Sequence, residues 1–111
     1  MLHKVGYDRS IDWIEPKGVL IRMEIIKRAS AGTMESSDAY VEIEPAQSGI
    51  TVELESVVLA QFGDQIRETV LDVLADQGVE HAAVRVIDRG ALECVIRARV
   101  EAAICRGREE V

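Results

Sequence analysis

Apolar and acidic positions alternate in two short segments near the middle of the chain. Residues 39–44 read Ala-Tyr-Val-Glu-Ile-Glu, and residues 50–55 read Ile-Thr-Val-Glu-Leu-Glu. Alternation of this kind places apolar side chains on one face of a strand and charged side chains on the other. Residues 45–49 contain the proline, serine and glycine that turns favour. The pattern therefore predicts a β-hairpin with one dry face and one acidic face.

Helical spacing follows the second strand. Apolar positions recur every three or four residues from 58 to 74, which predicts an amphipathic helix that Ser56 caps and Gly78 ends. Residues 84–87 predict a third strand, and residues 91–105 predict a second helix. The predicted core positions are Val58, Leu59, Phe62, Ile66, Thr69, Val70, Val73 and Leu74 on the first helix, and Leu92, Val95, Ile96, Val100 and Ala103 on the second.

The order of elements is strand, strand, helix, strand, helix. A right-handed crossover makes the third strand parallel to the second, and the sheet is fully antiparallel if the first strand lies between the other two. Helices that pack on one face of such a sheet form a two-layer sandwich. The sequence thus predicts an α+β fold with a small, mostly antiparallel sheet and two helices on one face. Residues 27–36, which are rich in small residues, form either an irregular strand or a loop.

Two residues depart from the helical patterns. Leu71 lies among polar residues on the outer face of the first helix. It is either a single exposed leucine, which is common, or a docking point for a partner protein. Arg99 falls near the centre of the apolar stripe of the second helix. Its guanidinium either reaches the edge of the core and pairs with an acidic strand residue, or binds a phosphate or a partner's carboxylate.

Charge and composition restrict the classes of function. The chain has 111 residues, of which 48% are hydrophobic and only 4% aromatic, so it holds one domain with an aliphatic core. It carries 13 basic and 20 acidic residues, a net charge of −7, which excludes bulk binding to nucleic acids. Residues 1–22 hold four of the basic and three of the acidic residues. We therefore expect an N-terminal extension over residues 1–22 and an acidic domain over residues 23–111.

The remaining general signals concern compartment and metals. Cys94 and Cys105 lie eleven residues apart on a predicted helix, about 16 Å, which is too far for a disulfide. Two free thiols suit a reducing compartment. His3 and His81 are distant in sequence, and neither has a Cys or His neighbour at ligand spacing, so we expect no metal site. The sequence has neither a signal-peptide pattern nor an apolar run of ~18 residues, and we expect a soluble cytoplasmic protein that binds no membrane.

Groups suited to catalysis are scarce. Glu42, Glu44, Glu53 and Glu55 alternate with apolar residues and should face solvent, whereas a catalytic pair of carboxylates needs burial or a partner. His81 has no adjacent nucleophile, and the glycines form no phosphate-binding loop. We therefore expect no catalytic residue in this chain.

One segment outside the periodic elements could still carry function. Residues 31–38 read Ala-Gly-Thr-Met-Glu-Ser-Ser-Asp. Small and polar residues of this kind form turns and caps, and composition alone favours that interpretation. The other interpretation is an exposed serine hydroxyl, flanked by acidic residues, that a second enzyme modifies.

Three segments together carry a family resemblance. They are residues 31–38, the run Gln-Phe-Gly-Asp-Gln-Ile-Arg at 61–67, and the run Asp-Arg-Gly-Ala-Leu-Glu-Cys-Val-Ile-Arg-Ala-Arg at 88–99. Through them, residues 23–111 resemble the acyl carrier protein, or gamma subunit, of citrate lyase. The resemblance implies that the serine after Gly-Thr-x-Glu, Ser36, carries phosphoribosyl-dephospho-coenzyme A through a phosphodiester. The adjacent Ser37 is the less favoured alternative.

The same resemblance implies a function in which the chemistry resides on an attached arm. The arm would present acetyl and citryl thioesters to the transferase (alpha) and lyase (beta) subunits, which together cleave citrate to acetate and oxaloacetate during citrate fermentation. A further enzyme would attach the arm to the serine. Two alternatives stay open: the carrier subunit of malonate decarboxylase, which uses the same kind of arm, and a non-covalent interaction module without a cofactor.

Overall fold

Two helices cover one face of a four-stranded sheet in the computed structural model, which describes residues 24–57 and 59–109 (the side chains of residues 59 and 60 excepted). Three two-residue strands nearer the N-terminus are also described, without their side chains. The expected extension over residues 1–22 otherwise lies outside the described residues. The elements are β1 (His3–Lys4), β2 (Trp13–Ile14), β3 (Leu20–Ile21), β4 (Ala29–Gly32), β5 (Ala39–Glu44), β6 (Ile50–Ser56), α1 (Leu59–Asp76), β7 (Ala82–Asp88) and α2 (Glu93–Arg108).

The first three strands pair antiparallel in the order β1-β2-β3, and the order of the main sheet is β4-β5-β7-β6. β7 pairs antiparallel with β5 and parallel with β6, so that Val84 lies opposite Ile43 on one side and Val52 on the other. The predicted hairpin between residues 39–44 and 50–55 is therefore wrong, because β7 lies between the two strands. Alternation in the sequence indicates which face of a strand is buried, but it does not identify the neighbouring strand.

The predicted class, a two-layer α+β sandwich with both helices on one face, is confirmed. The strands on either side of α1 are parallel, as the crossover predicts. The other two strand pairs of the main sheet are antiparallel, so the sheet is mixed instead of fully antiparallel. Residues 27–36, predicted to form either a strand or a loop, form both: β4 lies at the sheet edge and leads directly into a loop.

The core between the sheet and the helices is aliphatic, as the scarcity of aromatic residues predicts. Two predicted core residues are wrong, because Phe62 is 40% exposed and Leu92 is 72% exposed. Among the described side chains, the first buried apolar residue is Ile66 in α1 and Ile96 in α2, so residues 61–65 and 93–95 lie outside the core. The two predicted positions at residues 58 and 59 lie outside the described side chains. The largest fully buried apolar side chains are Val41, Ile43, Val70, Val73, Leu74, Val86, Val100 and Ile104.

The helix ends differ from the predicted bounds. α1 begins at Leu59, Ser56 is the last residue of β6, and α2 continues three residues past the predicted end at 105. The carbonyl of Gly107 accepts hydrogen bonds from the backbone N–H groups of Ile26 and Lys27 at 2.9 and 3.1 Å. These bonds tie the last turn of α2 to the segment that precedes β4.

Two further sequence features have a structural outcome. Cys94 and Cys105 are both free and exposed, so the prediction that they do not pair is confirmed. Within the described ranges, neither helix has the length and apolar character that crossing a membrane requires.

Candidate functional site

A short loop, residues 33–38, joins β4 to β5 and carries both candidate serines. The backbone N–H of Asp38 donates to the carbonyl of Glu35 at 3.1 Å, which closes a four-residue turn with Ser36 and Ser37 at its centre. Ser37 has a φ of 66°, and among the described non-glycine residues no other φ is positive. A positive φ at the third residue alone is the mark of a type II turn. Both serines are exposed, so the turn presents two adjacent hydroxyls at its tip.

The left-handed backbone of Ser37 needs support from elsewhere, because it costs a non-glycine residue about 1–2 kcal/mol. Asp38 supplies much of that support. Arg99 donates from Nε to Oδ1 of Asp38 at 3.0 Å and from Nη2 to Oδ2 at 2.9 Å, a two-pronged ion pair. The Thr33 hydroxyl donates to Oδ2 and the Ala39 N–H donates to Oδ1, each at 2.7 Å. The base of the loop is thus held by one carboxylate with four donors.

The charge state of Asp38 follows from these contacts. The Arg99 guanidinium, and after it the Thr33 hydroxyl and the Ala39 N–H, hold the pKa of the Asp38 carboxyl well below its usual range. The carboxylate therefore stays ionised throughout the physiological pH range and keeps its donors.

A second carboxylate, Asp88, shapes the turn after β7. Its side chain is 1% exposed, and it accepts hydrogen bonds from the Ser56 hydroxyl at 2.8 Å and from the backbone N–H groups of Gly90 and Ala91 at 3.2 and 2.9 Å. An aspartate that accepts from N–H groups two and three residues ahead fixes a tight turn. The chain after β7 is therefore held by a buried acceptor.

The backbone of Arg89 links the two turns. Its N–H donates to the carbonyl of Asp38 and its carbonyl accepts from the N–H of Ser37, both at 2.9 Å. β5 and β7 pair next to this point, with Ala39 opposite Asp88. The serine loop is thus docked onto residues 88–91 through its backbone, and the serine side chains take no part in the docking.

Gly32 is required by the close approach of the chain at the start of the loop. Its φ is 93°, and a Cβ at this position would overlap the carbonyl oxygen of Ala39. The same Cβ would lie 3.1 Å from Cδ of Arg99. Glycine therefore leaves room for the arginine stem that reaches Asp38.

A cleft of about 760 Å³ adjoins the docked loop. Its wall includes Asp88 and Gly90. These are the two neighbours of Arg89, whose carbonyl binds the N–H of Ser37. Side chains from residues 62–72 of α1 and residues 93–96 of α2 form its other sides. Its apolar lining consists of Phe62, Ile66, Ala91, Leu92 and Ile96.

The structure brings the three resemblance segments into one region. Residues 31–38 and 88–99 meet at the serine loop, and residues 61–67 face the second of these segments across the cleft. Arg99 pairs with an acidic residue, although Asp38 precedes β5 instead of belonging to it. Leu71 is 41% exposed and does not line the cleft, so its docking role stays a prediction.

Sequence reasoning missed Asp38 and Asp88 as supports of the site. A local signal existed for both, because each lies at a strand end beside a turn, where aspartate side chains bind nearby backbone N–H groups. The pairing of Asp38 with Arg99 had no such signal, because 61 residues separate them.

One of the strand glutamates is withdrawn from solvent. Glu44, Glu53 and Glu55 are exposed, as predicted, whereas Glu42 is half-buried. The Tyr40 hydroxyl donates to Glu42 at 2.9 Å, and this bond, followed by the charge of Arg28, lowers the pKa of the Glu42 carboxyl. Glu42 is therefore a charged structural acceptor on the helix-free face of the sheet.

One group of described side chains has the composition of a metal site. Ligand atoms of Glu24, Glu80 and His81 lie within 4.8 Å of one another. However, Nδ1 of His81 accepts the backbone N–H of Gly49 at 2.9 Å, so the neutral ring carries its proton on Nε2. Neither ring nitrogen then has a free lone pair, and the histidine acts as a structural acceptor.

Fold and site together define a class: a small two-layer α+β domain that presents a serine on a rigid, exposed turn. An acyl carrier family model described as malonate decarboxylase delta subunit (MdcD) matches residues 26–107. The citrate lyase acyl carrier protein of Escherichia fergusonii is 55% identical over 89 residues, which cover 79% of this chain and 92% of that protein. That of Weissella paramesenteroides is 54% identical over 84 residues, which cover 76% and 87%.

The fold comparison agrees with the sequence comparison. A chain in the crystal structure of a Pseudomonas malonate decarboxylase hetero-tetramer in complex with malonate matches with a TM-score of 0.64 at 23% identity, over 72% of this chain and 82% of that one. The present chain belongs to this family of acyl carrier subunits, which includes the citrate lyase acyl carrier proteins. The resemblance predicted from three short segments is therefore confirmed.

Proposed function

We propose that this chain is the acyl carrier subunit of citrate lyase and that Ser36 carries its prosthetic arm. The observation that carries the proposal is an exposed serine on a turn that Arg89 and Arg99 hold from two sides. Relatives named citrate lyase acyl carrier protein, at 54–55% identity, support the choice of complex. In this proposal the arm is phosphoribosyl-dephospho-coenzyme A, bound through a phosphodiester.

The surroundings of Ser36 fit a bulky group on its hydroxyl. Such a group needs an oxygen that is exposed and not engaged elsewhere. Ser36 is exposed, and within the described ranges its hydroxyl forms no hydrogen bond. The turn is closed by backbone groups and by Asp38, so a group on the Ser36 oxygen leaves every contact of the loop intact.

Ser36 is preferred to Ser37 because of its register after Gly-Thr-x-Glu. The backbone of Ser37 has another task in this proposal. It takes the left-handed conformation, and its N–H is bound to the carbonyl of Arg89. Ser37 thereby fixes the turn on which its neighbour is presented.

The residues of this chain position the arm and do not catalyse. When bound, the group supplies a thiol that carries the acyl group between the transferase (alpha) and lyase (beta) subunits. Asp38 and Arg99 keep the turn in one orientation, so the attachment point is fixed while the rest of the arm moves. Tethering raises the effective concentration at each active site to about the millimolar range. Citrate is thus cleaved to acetate and oxaloacetate without an acid, base or metal from this subunit.

The setting of the complex is part of the proposal. We place it in the cytoplasm of a citrate-fermenting cell, a reducing compartment with which two exposed free thiols are compatible. Its partners are the two catalytic subunits and the enzyme that attaches the arm. The carrier domain spans residues 23–111, and residues 1–22 are an extension outside it.

A second candidate is the carrier subunit of malonate decarboxylase. The description of the matching family model favours it. Identity to the chain of the Pseudomonas complex is 23%, against 55% to the citrate lyase carrier, so we prefer citrate lyase. Co-purification from the native host separates the two. A citrate-cleaving complex supports the proposal, and a malonyl-processing decarboxylase overturns it.

Replacement of Ser36 by alanine tests the attachment site. In protein from citrate-fermenting native cells, wild type should show the added mass of the arm on the fragment that contains Ser36. Ser36→Ala should lack this mass and abolish citrate cleavage. Both this variant and the matched control Ser37→Ala should unfold within about 0.5 kcal/mol of wild type, because the hydroxyls are exposed.

The control distinguishes the remaining outcomes. Ser37→Ala should keep both the added mass and the activity. If the arm is found on Ser37 instead, the register is wrong by one residue. If the native protein has no added mass at all, the carrier function is wrong and a non-covalent module remains.

A further inference from the structure

The cleft beside the serine loop combines apolar and acidic side chains, and the proposed carrier role does not use it. Phe62 is 40% exposed and Leu92 is 72% exposed, so the apolar part is open to a partner. The lining includes four carboxylates and no lysine or arginine. A surface of this composition fits a protein segment that brings an apolar side chain together with a basic one. The four carboxylates are those of Glu68, Asp72, Asp88 and Glu93.

The four carboxylates are not equally available. The Asp88 carboxylate is buried under the turn after β7. Asp72 pairs with Arg97 at 3.3 Å, and Glu93 accepts a threonine hydroxyl of α1 at 3.1 Å. The Glu68 side chain is exposed and, among the described residues, forms neither a hydrogen bond nor an ion pair. The Glu68 carboxylate is therefore unpaired and available to an approaching cation.

The prosthetic arm is a poor occupant of this cleft. Its phosphodiester and diphosphate groups are anionic, and a citryl group is anionic too. Carboxylates in the cleft repel such groups. The charge of the cleft thus selects a basic protein surface over the arm.

The position of the cleft indicates which partner would use it. Asp88 and Gly90 line it, and Arg89 between them holds the serine loop. The transferase and lyase subunits also contact the carrier in the complex, but their chemistry takes place at the far end of the arm. The enzyme that attaches the arm must bring its active site to the serine itself.

We propose that the cleft docks the enzyme that attaches the arm. An apolar side chain of that enzyme is seated beside Phe62 and Leu92, and a lysine or arginine pairs with Glu68. This inference rests on the proposed function, because it takes Ser36 as the residue that is modified.

The chemistry at the serine explains the need for docking so close by. The Ser36 oxygen forms a bond to the ribose-linked phosphorus of the triphosphoribosyl form of the group, and the bond from that phosphorus to the diphosphate breaks. Diphosphate leaves with the electron pair, and the hydroxyl proton passes to a base of the attaching enzyme. Such a displacement requires the two reacting atoms to be aligned and held.

Charge reversal at Glu68 tests the docking. Full-length apo-protein is incubated with the attaching enzyme and triphosphoribosyl-dephospho-coenzyme A, and the increase in mass is followed at several carrier concentrations. Glu68→Lys should raise the KM for the carrier roughly tenfold, with kcat little changed. Added salt should raise the KM of wild type more than that of the variant. Glu101→Lys, which reverses an exposed acid of α2 outside the cleft, should stay within about twofold of wild type.

A second variant tests the apolar part of the cleft. Leu92→Ser should raise the same KM at least about fivefold. Because Leu92 and Glu68 are exposed, thermal unfolding of both variants should match wild type, which separates lost docking from lost folding.

Each alternative outcome has a distinct meaning. If both variants are modified as readily as wild type, the docking proposal is wrong and Ser36 as the attachment site is unaffected. If both are modified normally but citrate cleavage by the assembled complex falls, the cleft serves a catalytic subunit and the proposal is also wrong. If wild type itself gains no mass, the proposed function and the docking proposal are both overturned.

Discussion

The serine loop and the cleft beside it are built in opposite ways. In the loop, the polar groups that set the shape are paired, and Asp38 alone has four donors. In the cleft, Phe62 and Leu92 are exposed, and Glu68 is unpaired among the described residues. The difference separates two tasks. Paired groups around a strained turn hold one atom in place, whereas open apolar and charged groups are available to another protein.

Gly32→Ala should damage the loop most severely and leave the cleft unaltered. The added Cβ would overlap the Ala39 carbonyl at a φ of 93°, so we expect unfolding free energy to fall by about 3 kcal/mol, as measured by urea denaturation. Gly49→Ala is the matched control, because its φ is 72° and no atom lies within 4 Å of the added Cβ. It should cost only the backbone strain, about 1 kcal/mol. Equal losses for both variants would contradict the steric role of Gly32.

Acid should weaken the loop progressively, beginning where the Asp38 carboxyl of the unfolded chain takes up its proton, near pH 4. The pKa of Asp38 lies well below its usual range in the folded protein, so the ionised form stabilises the fold above about pH 4. That stabilisation is lost as the pH falls further. The difference in unfolding free energy between wild type and Asp38→Asn should therefore be constant from neutral pH to about pH 4.5 and should shrink below it. A difference that stays constant down to about pH 3 would argue against the paired carboxylate.

Glycine at the two turn positions should have small effects of opposite sign. Ser37→Gly relieves the left-handed backbone and, after the entropy cost of glycine, should stabilise the protein by about 0.5 kcal/mol. Ser36→Gly gains no such relief and should destabilise it by about the same amount. Urea denaturation measures both. Destabilisation by Ser37→Gly would mean that its side chain supports the turn and would weaken the contrast with the cleft.

Much of the fold was accessible from local patterns. The alternation at residues 39–44 and 50–55 and the helical spacing from 58 to 74 predicted β5, β6 and α1 nearly to their bounds. The pairing of strands was not accessible, because the partner of β5 is β7, which lies some forty residues further along the chain. Periodicity also failed for Phe62 and Leu92, because it indicates a helix face but not where the sheet below ends.

The site was accessible only in part. The family resemblance predicted an attachment serine within residues 31–38, and both serines of that segment are exposed. The frame around the turn depends on Arg89 and Arg99, whose contacts with residues 37 and 38 are set by the tertiary fold. A pattern within one segment carries no information on such contacts.

The distance along the chain between Asp38 and Arg99 has a consequence for the order of events during synthesis. The 61 residues that separate them mean that the serines leave the ribosome long before the guanidinium that holds their turn. A nascent chain that ends before α2 cannot contain the finished loop. An attaching enzyme that recognises the folded turn would pass over such incomplete chains and place the arm only on carriers that have finished folding.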